Sequence, residues 1–451
     1  MTEPSPDPAP VPGDPGHRRE ILRLAVPAFL ALVAEPLFLL ADSAIVGHLG
    51  TAPLAGLGVA SAVLLTAVNL FVFLAYGTTA VVARRLGAAD HRGALAAGID
   101  GTWLAVLLGV AAAAFLALAT PWLVAAFGAS PDAAAEASSY LRVSALGVPP
   151  MLVVLATTGV LRGLQDTRTP LVVSVAGFTA NALLSLLLVH VVGLGIAGAA
   201  WGTVIAQTAM AAALGTVLVR GARRESAPMT PHPAGVLRAA ADGVPLLVRT
   251  LSLRAVLLVT TWYAAGLGEA ELAAHQVAMT VWTSLTFALD ALAIAGQALT
   301  GKSLGAGDRA ATREATSTMV RWGVWFGAAL GVLVAAGHQL IPLGFSADPQ
   351  VRAALAAALL VVAVGQPVSG IAFVLDGVLI GAGDARWLAV AQTLFLLAYL
   401  PMVGLLLLVG LDGVTGLVWL WVAFTAFMVV RALGLQLRAR SERWMVTGAV
   451  R

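Results

Sequence analysis

The chain has 451 residues, of which 59% are hydrophobic and only 11% charged, and its formal net charge is +3. Soluble domains carry about 25% charged residues, so an ordinary solvated globular surface is excluded. There is no cysteine, which removes disulfide frameworks and thiolate metal sites, and the mean hydropathy of +0.92 points to a bilayer. The isoelectric point near 9.8 does not signal nucleic acid, because the basic residues sit scattered at the ends of apolar runs.

The first 20 residues are Pro-rich and polar and are expected to be a disordered cytoplasmic N-terminus. A helix that crosses hydrocarbon needs roughly 20 predominantly apolar residues. Twelve such runs follow, so the predicted class is an all-α integral membrane protein. The first six are 21–46, 54–83, 93–119, 133–161, 169–192 and 195–219, forming an N-lobe over 21–220. Residues 221–240 carry Pro228, Pro231 and Pro233 and read as a cytoplasmic linker. Runs 240–265, 272–301, 310–337, 351–380, 387–410 and 413–437 form a C-lobe over 241–437, followed by a cytoplasmic tail, 438–451.

Lysine and arginine set the orientation. Arg84, Arg85, Arg92, Arg162, Arg168, Arg220, Arg223, Arg224, Lys302, Arg309, Arg386 and Arg438 all fall on the side of the N-terminus if the runs alternate. The opposite loops carry almost none, Arg352 being the exception. The expectation is a multi-pass inner-membrane protein with both termini cytoplasmic.

A shift of 218 residues aligns the two halves without a gap. Pro27 falls on Pro245, Leu86-Gly87-Ala88 on Leu304-Gly305-Ala306, and Gly147 and Pro149 on Gly365 and Pro367. Gly159, Gly163 and Asp166 meet Gly377, Gly381 and Asp384, and Trp201 meets Trp419. Six crossings per repeat is an even number, so the repeats are parallel and their pseudo-two-fold axis runs along the membrane normal. Parallel repeats with a site at their interface are a transporter architecture.

An ionisable side chain in hydrocarbon costs at least about 2.5–3.5 kcal/mol, so it faces a cavity or a partner. Glu35 and Asp42 in the first run, Arg254 in the seventh, Asp290 in the eighth and Asp376 in the tenth are read as deep, and none is repeated in the other half. Asp42 lies ~27 Å along its helix from Leu24, in the outer half, where a desolvated carboxyl is suited to exchange a proton. A helix-end aspartate in the headgroup layer is the alternative. Glu35 and Arg254 are near-equivalents in the two lobes and fit a cross-cleft pair; an Arg254–Asp290 pair inside the C-lobe is the competing arrangement. Asp376 fits either transport or a salt bridge to loop arginines. Pro27 and Pro36 permit a bend in the first helix. Tyr76, Phe73, Met151, Phe287, Phe71 and Trp282 are candidates for an adaptable cleft lining, against ordinary packing. His275-Gln276 fits an exit route or a helix end.

Four segments carry a family resemblance. They are Ala41-Asp42-Ser43-Ala44-Ile45-Val46-Gly47-His48-Leu49-Gly50, Leu161-Arg162-Gly163-Leu164-Gln165-Asp166-Thr167, Leu272-Ala273-Ala274-His275-Gln276-Val277-Ala278-Met279 and Leu375-Asp376-Gly377-Val378-Leu379-Ile380-Gly381. In order and spacing the chain resembles the multidrug and toxic compound extrusion family, in particular its DinF-like branch, over about residues 20–440. The resemblance implies two six-helix lobes around a central cleft. It implies antiport of amphipathic, often cationic, organic compounds against H⁺ or Na⁺, with no cofactor and no enzymatic activity, by a chain expected to be monomeric. It also implies an N-lobe proton site at Asp42, Asn181 and Thr203, a bending proline at Pro27 and a site tyrosine at Tyr140. Ser185 stands where some members have a second carboxylate, leaving Asp42 as the titrating group. The resemblance further implies that a Na⁺-linked, NorM-like member would carry C-lobe carboxylates in its seventh and tenth helices; no acidic residue lies between Val244 and Leu267 here, which favours H⁺ over Na⁺.

A lipid-linked oligosaccharide flippase of related fold is the first rival, disfavoured by a count of four deep acidic residues to one basic. A major-facilitator transporter is disfavoured by the loop Arg84-Arg85-Leu86-Gly87-Ala88-Ala89-Asp90. No paired Ser/His, HExxH or GxxxxGK[ST] pattern supports an intramembrane enzyme or an ATP-driven pump.

Overall fold

The computed structural model describes residues 15–450, and for residues 15–18 and 35–42 the backbone alone. The described residues form helices and no strands. In the N-lobe these are α1 (Pro15–Gly47), α2 (Thr51–Phe71), α3 (Phe73–Gly87), α4 (His91–Ala125), α5 (Pro131–Ala145), α6 (Val148–Gly163), α7 (Arg168–Leu186) and α8 (Ile196–Arg224). The C-lobe holds α9 (Pro233–Leu267), α10 (Glu269–Gly305), α11 (Arg309–Gly337), the short α12 (Ile341–Phe345), α13 (Pro349–Gly381), α14 (Ala385–Val409) and α15 (Gly413–Arg440). Helices α2 and α3 make one crossing, as do α5 and α6, so the bundle has twelve transmembrane helices in two six-helix repeats.

Several helices outrun the apolar stretches that identify them. The stretch 240–265 belongs to a helix of 35 residues, because amphipathic turns continue past the hydrocarbon into the headgroup layer. For the same reason the expected linker 221–240 is largely helical: α8 runs to Arg224, α9 starts at Pro233, and only 225–232 lie outside both. Pro233 is well placed there, since the first helical turn needs no N–H from it.

The repeat is reproduced in backbone detail. Gly195 and Gly413, 218 apart, open α8 and α15 with left-handed φ of 58° and 56°. Ala89 and Gly307 share the left-handed turn after α3 and α10, as do Gln165 and Gly383 after α6 and α13. Asp90 caps α4 by accepting from the Gly93 amide at 2.8 Å, and Asp308 caps α11 from the Ala311 amide at 2.8 Å. The symmetry breaks where α2 and α3 are interrupted at Val72 while α10 runs on unbroken, and again at a proline. Pro149-Pro150 follow Gly147, and α5 and α6 meet there at 52°, whereas the matching α13 stays continuous through Pro367-Val368. The second proline of the pair removes a second backbone donor and adds a second ring clash.

Helix α13 is the pillar of the C-lobe, packed by α10, α11 and α15. It carries Asp376 in an otherwise apolar, buried segment. The lobes meet chiefly where α3 faces α9, α10 and α13, where α1 faces α10, and where α4 faces α9.

Candidate functional site between the lobes

Asp376 accepts from Nε of Arg249 at 3.1 Å and pairs closely with Nη2 of the same guanidinium. Arg431 Nη2 stands 3.4 Å from Oδ2, the oxygen that Arg249 Nη2 already engages. The three side chains come from α13, α9 and α15 and are 5%, 8% and 1% exposed. Two cations on one carboxylate require further compensation, and aromatic faces supply part of it. The Tyr76 ring of the N-lobe lies 5.7 Å from Arg249 Cζ, and the Phe373 ring 5.3 Å from Arg431 Cζ. Asp290 on α10 and Arg162 on α6 complete the electrostatic group: Asp290 feels Arg249, Arg431 and Arg162. The cluster thus joins helices of both lobes, with three arginines against two aspartates.

The N-lobe holds a second polar group. Asn181 Nδ2 donates to Thr203 Oγ1 at 3.2 Å, and Ser185 Oγ donates to Asn181 Oδ1 at 3.1 Å. Asn181 and Ser185 sit one turn apart on α7, facing Gly202 of α8, where any Cβ would crowd both side chains. The small residue lets α8 approach closely enough for Thr203 to reach Asn181. Asn181, Thr203 and Ser185, three of the four positions that the resemblance connects with the N-lobe proton site, are therefore in contact. Asp42, Glu35 and Pro36 lie outside the described side chains, while the α1 backbone is helical through both Pro27 and Pro36.

Other expectations change. Among the described residues Arg254 pairs with no carboxylate: it is exposed, and Asp290 lies instead near Arg249, Arg431 and Arg162. Asp376 bonds intramembrane arginines, not loop arginines. The count of four deep acidic groups to one basic fails, because Arg249 and Arg431 lie inside apolar runs. The same insertion cost that singles out Arg254 applies to Arg249 and Arg431, so the sequence did carry a signal for them. Tyr140 is 5% exposed and belongs to the N-lobe core. Phe73 packs on Gly243 of α9, between the lobes, while Met151 and Phe287 are half-buried. His275 is fully buried, 3.2 Å from Thr261 Oγ1 and with its ring tilted against that of Trp421, which makes it part of the C-lobe core and not an exit route.

The sequence model of the MatE family matches this chain twice, at residues 27–187 and 245–405, and the two matches are themselves 218 residues apart. The chain belongs to the MatE family of transporters. It is 31% identical to Protein DETOXIFICATION 44, chloroplastic, of Arabidopsis thaliana, over 98% of this chain and 87% of that protein. It is 30% identical to DNA damage-inducible protein F of Escherichia coli, over 92% and 91%. Its fold is similar to the solved outward-facing conformation of a multidrug resistance MATE family transporter of the MOP superfamily, with a TM-score of 0.85, 21% identity, and 94% and 96% of the two chains covered.

In this MatE chain the lobes are sealed together at the end that carries both termini. Helices α3 and α10 cross there so closely that a Cβ on Gly87 would overlap the Lys302 carbonyl oxygen, and one on Gly305 the Arg84 carbonyl oxygen. These contacts are images of each other under the 218-residue shift. Gln165 Nε2 donates across the interface to Ala298 O at 3.1 Å, and Gln297 Nε2 to Tyr76 O at 2.6 Å. The charge cluster lies above this seal.

Proposed function

We propose that the chain is a proton-driven exporter of amphipathic organic compounds, working as a monomer by alternating access of its two lobes. The observation that supports it most is the sealed termini face with ionisable groups of both lobes gathered above it. That is the arrangement of a cleft open to the opposite side. With the termini in the cytoplasm, where the arginines favour them, this is the outward-open state of a transporter in the cytoplasmic membrane. Protons enter the N-lobe at Asp42, and the Asn181–Thr203–Ser185 network offers neutral donors and acceptors to either form of the carboxyl. Protonation removes a charge from hydrocarbon and lets α1 repack, which lowers affinity for substrate on the outside.

The test is reconstituted efflux of a cationic dye under an imposed proton gradient and, separately, a sodium gradient. Asp42→Asn is expected to insert and fold yet lose pH-driven efflux, since the amide releases no proton. Asn181→Ala is expected to shift the pH dependence with less complete loss. Full coupled efflux by Asp42→Asn, or efflux driven by sodium alone, would sink the assignment.

A second reading has one observation in its favour. Three arginines face two aspartates at the base of the cleft, so the field there does not select cations. A substrate with a carboxylate or phosphate group, as a lipid-linked oligosaccharide flippase would carry, fits that excess. Transport of an anionic dye in place of the cationic one, in the same liposomes, would decide for it.

A further inference from the structure

We propose that Arg84 and Lys302 form an exchanged clasp that holds the termini face closed, each cation gripping the chain end of the opposite lobe, and that both grips release when this face opens. The inference rests on the alternating-access reading above.

Arg84, on the last turn of α3, is 3% exposed although it lies at the end of the bundle. Its Nη1 donates to Ala382 O at 3.0 Å and its Nη2 to Val446 O at 2.6 Å. Ala382 is the C-cap residue of α13, where helix carbonyls run out of amide partners and the helix dipole is negative. An N-lobe guanidinium thus serves as the missing donor for a C-lobe helix. Val446 belongs to the tail, which does not leave the protein after α15. Glu442 accepts two hydrogen bonds from Arg313, at 2.7 and 3.0 Å, and Trp444 is fully buried with its Nε1 donating to Ala439 O at 2.9 Å. The Gly448 amide then donates to Leu304 O at 3.0 Å. The tail is a strap, fixed to the C-lobe and offering its carbonyl to the N-lobe.

Lys302 is the image of Arg84 under the 218-residue shift. It reaches in the opposite sense, from the C-lobe to Glu20 Oε1 near the start of α1, at 2.7 Å. So each repeat-related cation crosses to the other chain end, on either side of the Gly87–Gly305 crossing. The residue types suit the partners. Arginine presents a fork that two carbonyls can share, and lysine is a point charge for one carboxylate. Any motion that parts α3 from α10 at this face breaks both grips together. Arg84 is the stronger arm because its bonds are buried; the Lys302–Glu20 pair is 42% and 29% exposed at its side chains and is screened.

The natural absence of cysteine makes Ala80→Cys a clean probe. Ala80 is 6% exposed, behind the seal on α3. Its rate of labelling by an impermeant thiol reagent is measured in inside-out vesicles, with and without a proton gradient. Arg84→Gln is expected to raise that rate at least about tenfold, the population shift from losing one of its two charge-assisted hydrogen bonds, and by more where both are lost. Lys302→Gln should raise it about twofold, and Arg84→Lys should fall between wild type and Arg84→Gln. Ending the chain after Met445 removes the Val446 carbonyl while keeping Trp444 and Glu442, and should raise the rate without altering the thermal midpoint greatly. If the wild-type rate responds to the gradient but none of these changes moves it, the clasp is overturned and alternating access stands. If the changes raise the rate while the wild type ignores every gradient, the clasp stands and the proton-driven reading falls. If nothing moves the rate, both are wrong.

Discussion

At the scale of single residues, Asp376 is the most constrained group in the C-lobe. It is buried with two guanidinium groups, and removing one partner of such an arrangement leaves uncompensated charge in a dry interior, at a cost of about 3–5 kcal/mol. Asp376→Asn is therefore expected to lower the thermal midpoint in detergent markedly. Adding Arg249→Met should recover part of the loss, because the second change removes one of the two guanidinium charges left without the carboxylate, Arg431 keeping the other. An unchanged midpoint for Asp376→Asn, or simple additivity in the double variant, would show that the pair holds nothing. Glu442 gives a pH prediction outside the membrane. The Arg313 guanidinium that donates to it holds its carboxyl below the usual carboxylate range. A lowered folded-state value means the tether contributes fully above the ordinary carboxylate range and is lost as pH falls through the lowered value. A fluorophore on Ala449→Cys should keep a slow-tumbling anisotropy through mildly acid pH and lose it only in stronger acid. Arg313→Gln should loosen the tail already at neutral pH and flatten the acid transition.

At the scale of helices, small residues decide which pairs approach. A Cβ on Gly377 would overlap the Ala293 carbonyl oxygen, and its repeat image Gly159 is pressed in the same way on Ala75. Without water to drive helices together in lipid, such close backbone contact is the main source of association. Gly377→Ala must push α13 off α10 and is expected to cost about 1–3 kcal/mol, the usual penalty of overpacking. Gly404→Ala is the control: nothing lies within 4 Å of its added Cβ, and helix propensity gains up to about 1 kcal/mol. Thermal unfolding of the two variants should move in opposite directions. A shared or absent shift would mean that the crossings are slack. The glycine spacing at offset 218 is legible in sequence, but whether a glycine faces a neighbouring helix or the lipid depends on helix rotation, which the glycine alone does not set.

At the scale of the whole molecule, the twelve crossings and the arginine bias place both ends of the chain on one face. Thr230, exposed between α8 and α9, tests the orientation. Thr230→Cys is expected to resist an impermeant thiol reagent added outside intact cells and to react in inside-out vesicles; labelling from outside would invert the topology. The class, the number of crossings and the repeat register were readable in the chain, because each depends on the length and periodicity of apolar runs, whereas the caps at Asp90 and Asp308 emerged with the structure. The trio of Asn181, Ser185 and Thr203 was reached through family resemblance, and the contact of Thr203 with Asn181 depends on α8 packing against α7 at Gly202. The partners of the buried charges were decided elsewhere. Arg249, Arg254, Asp290, Asp376 and Arg431 are spread over four helices and 183 positions of chain. Sequence shows that each needs a partner, since hydrocarbon solvates none of them. Which partner it finds is fixed by the rotation and depth of helices around α13, and those follow from close packing between segments far apart in the chain. The seal at the termini face is decided in the same way, by two glycines and two cations that only the crossing of α3 and α10 brings together.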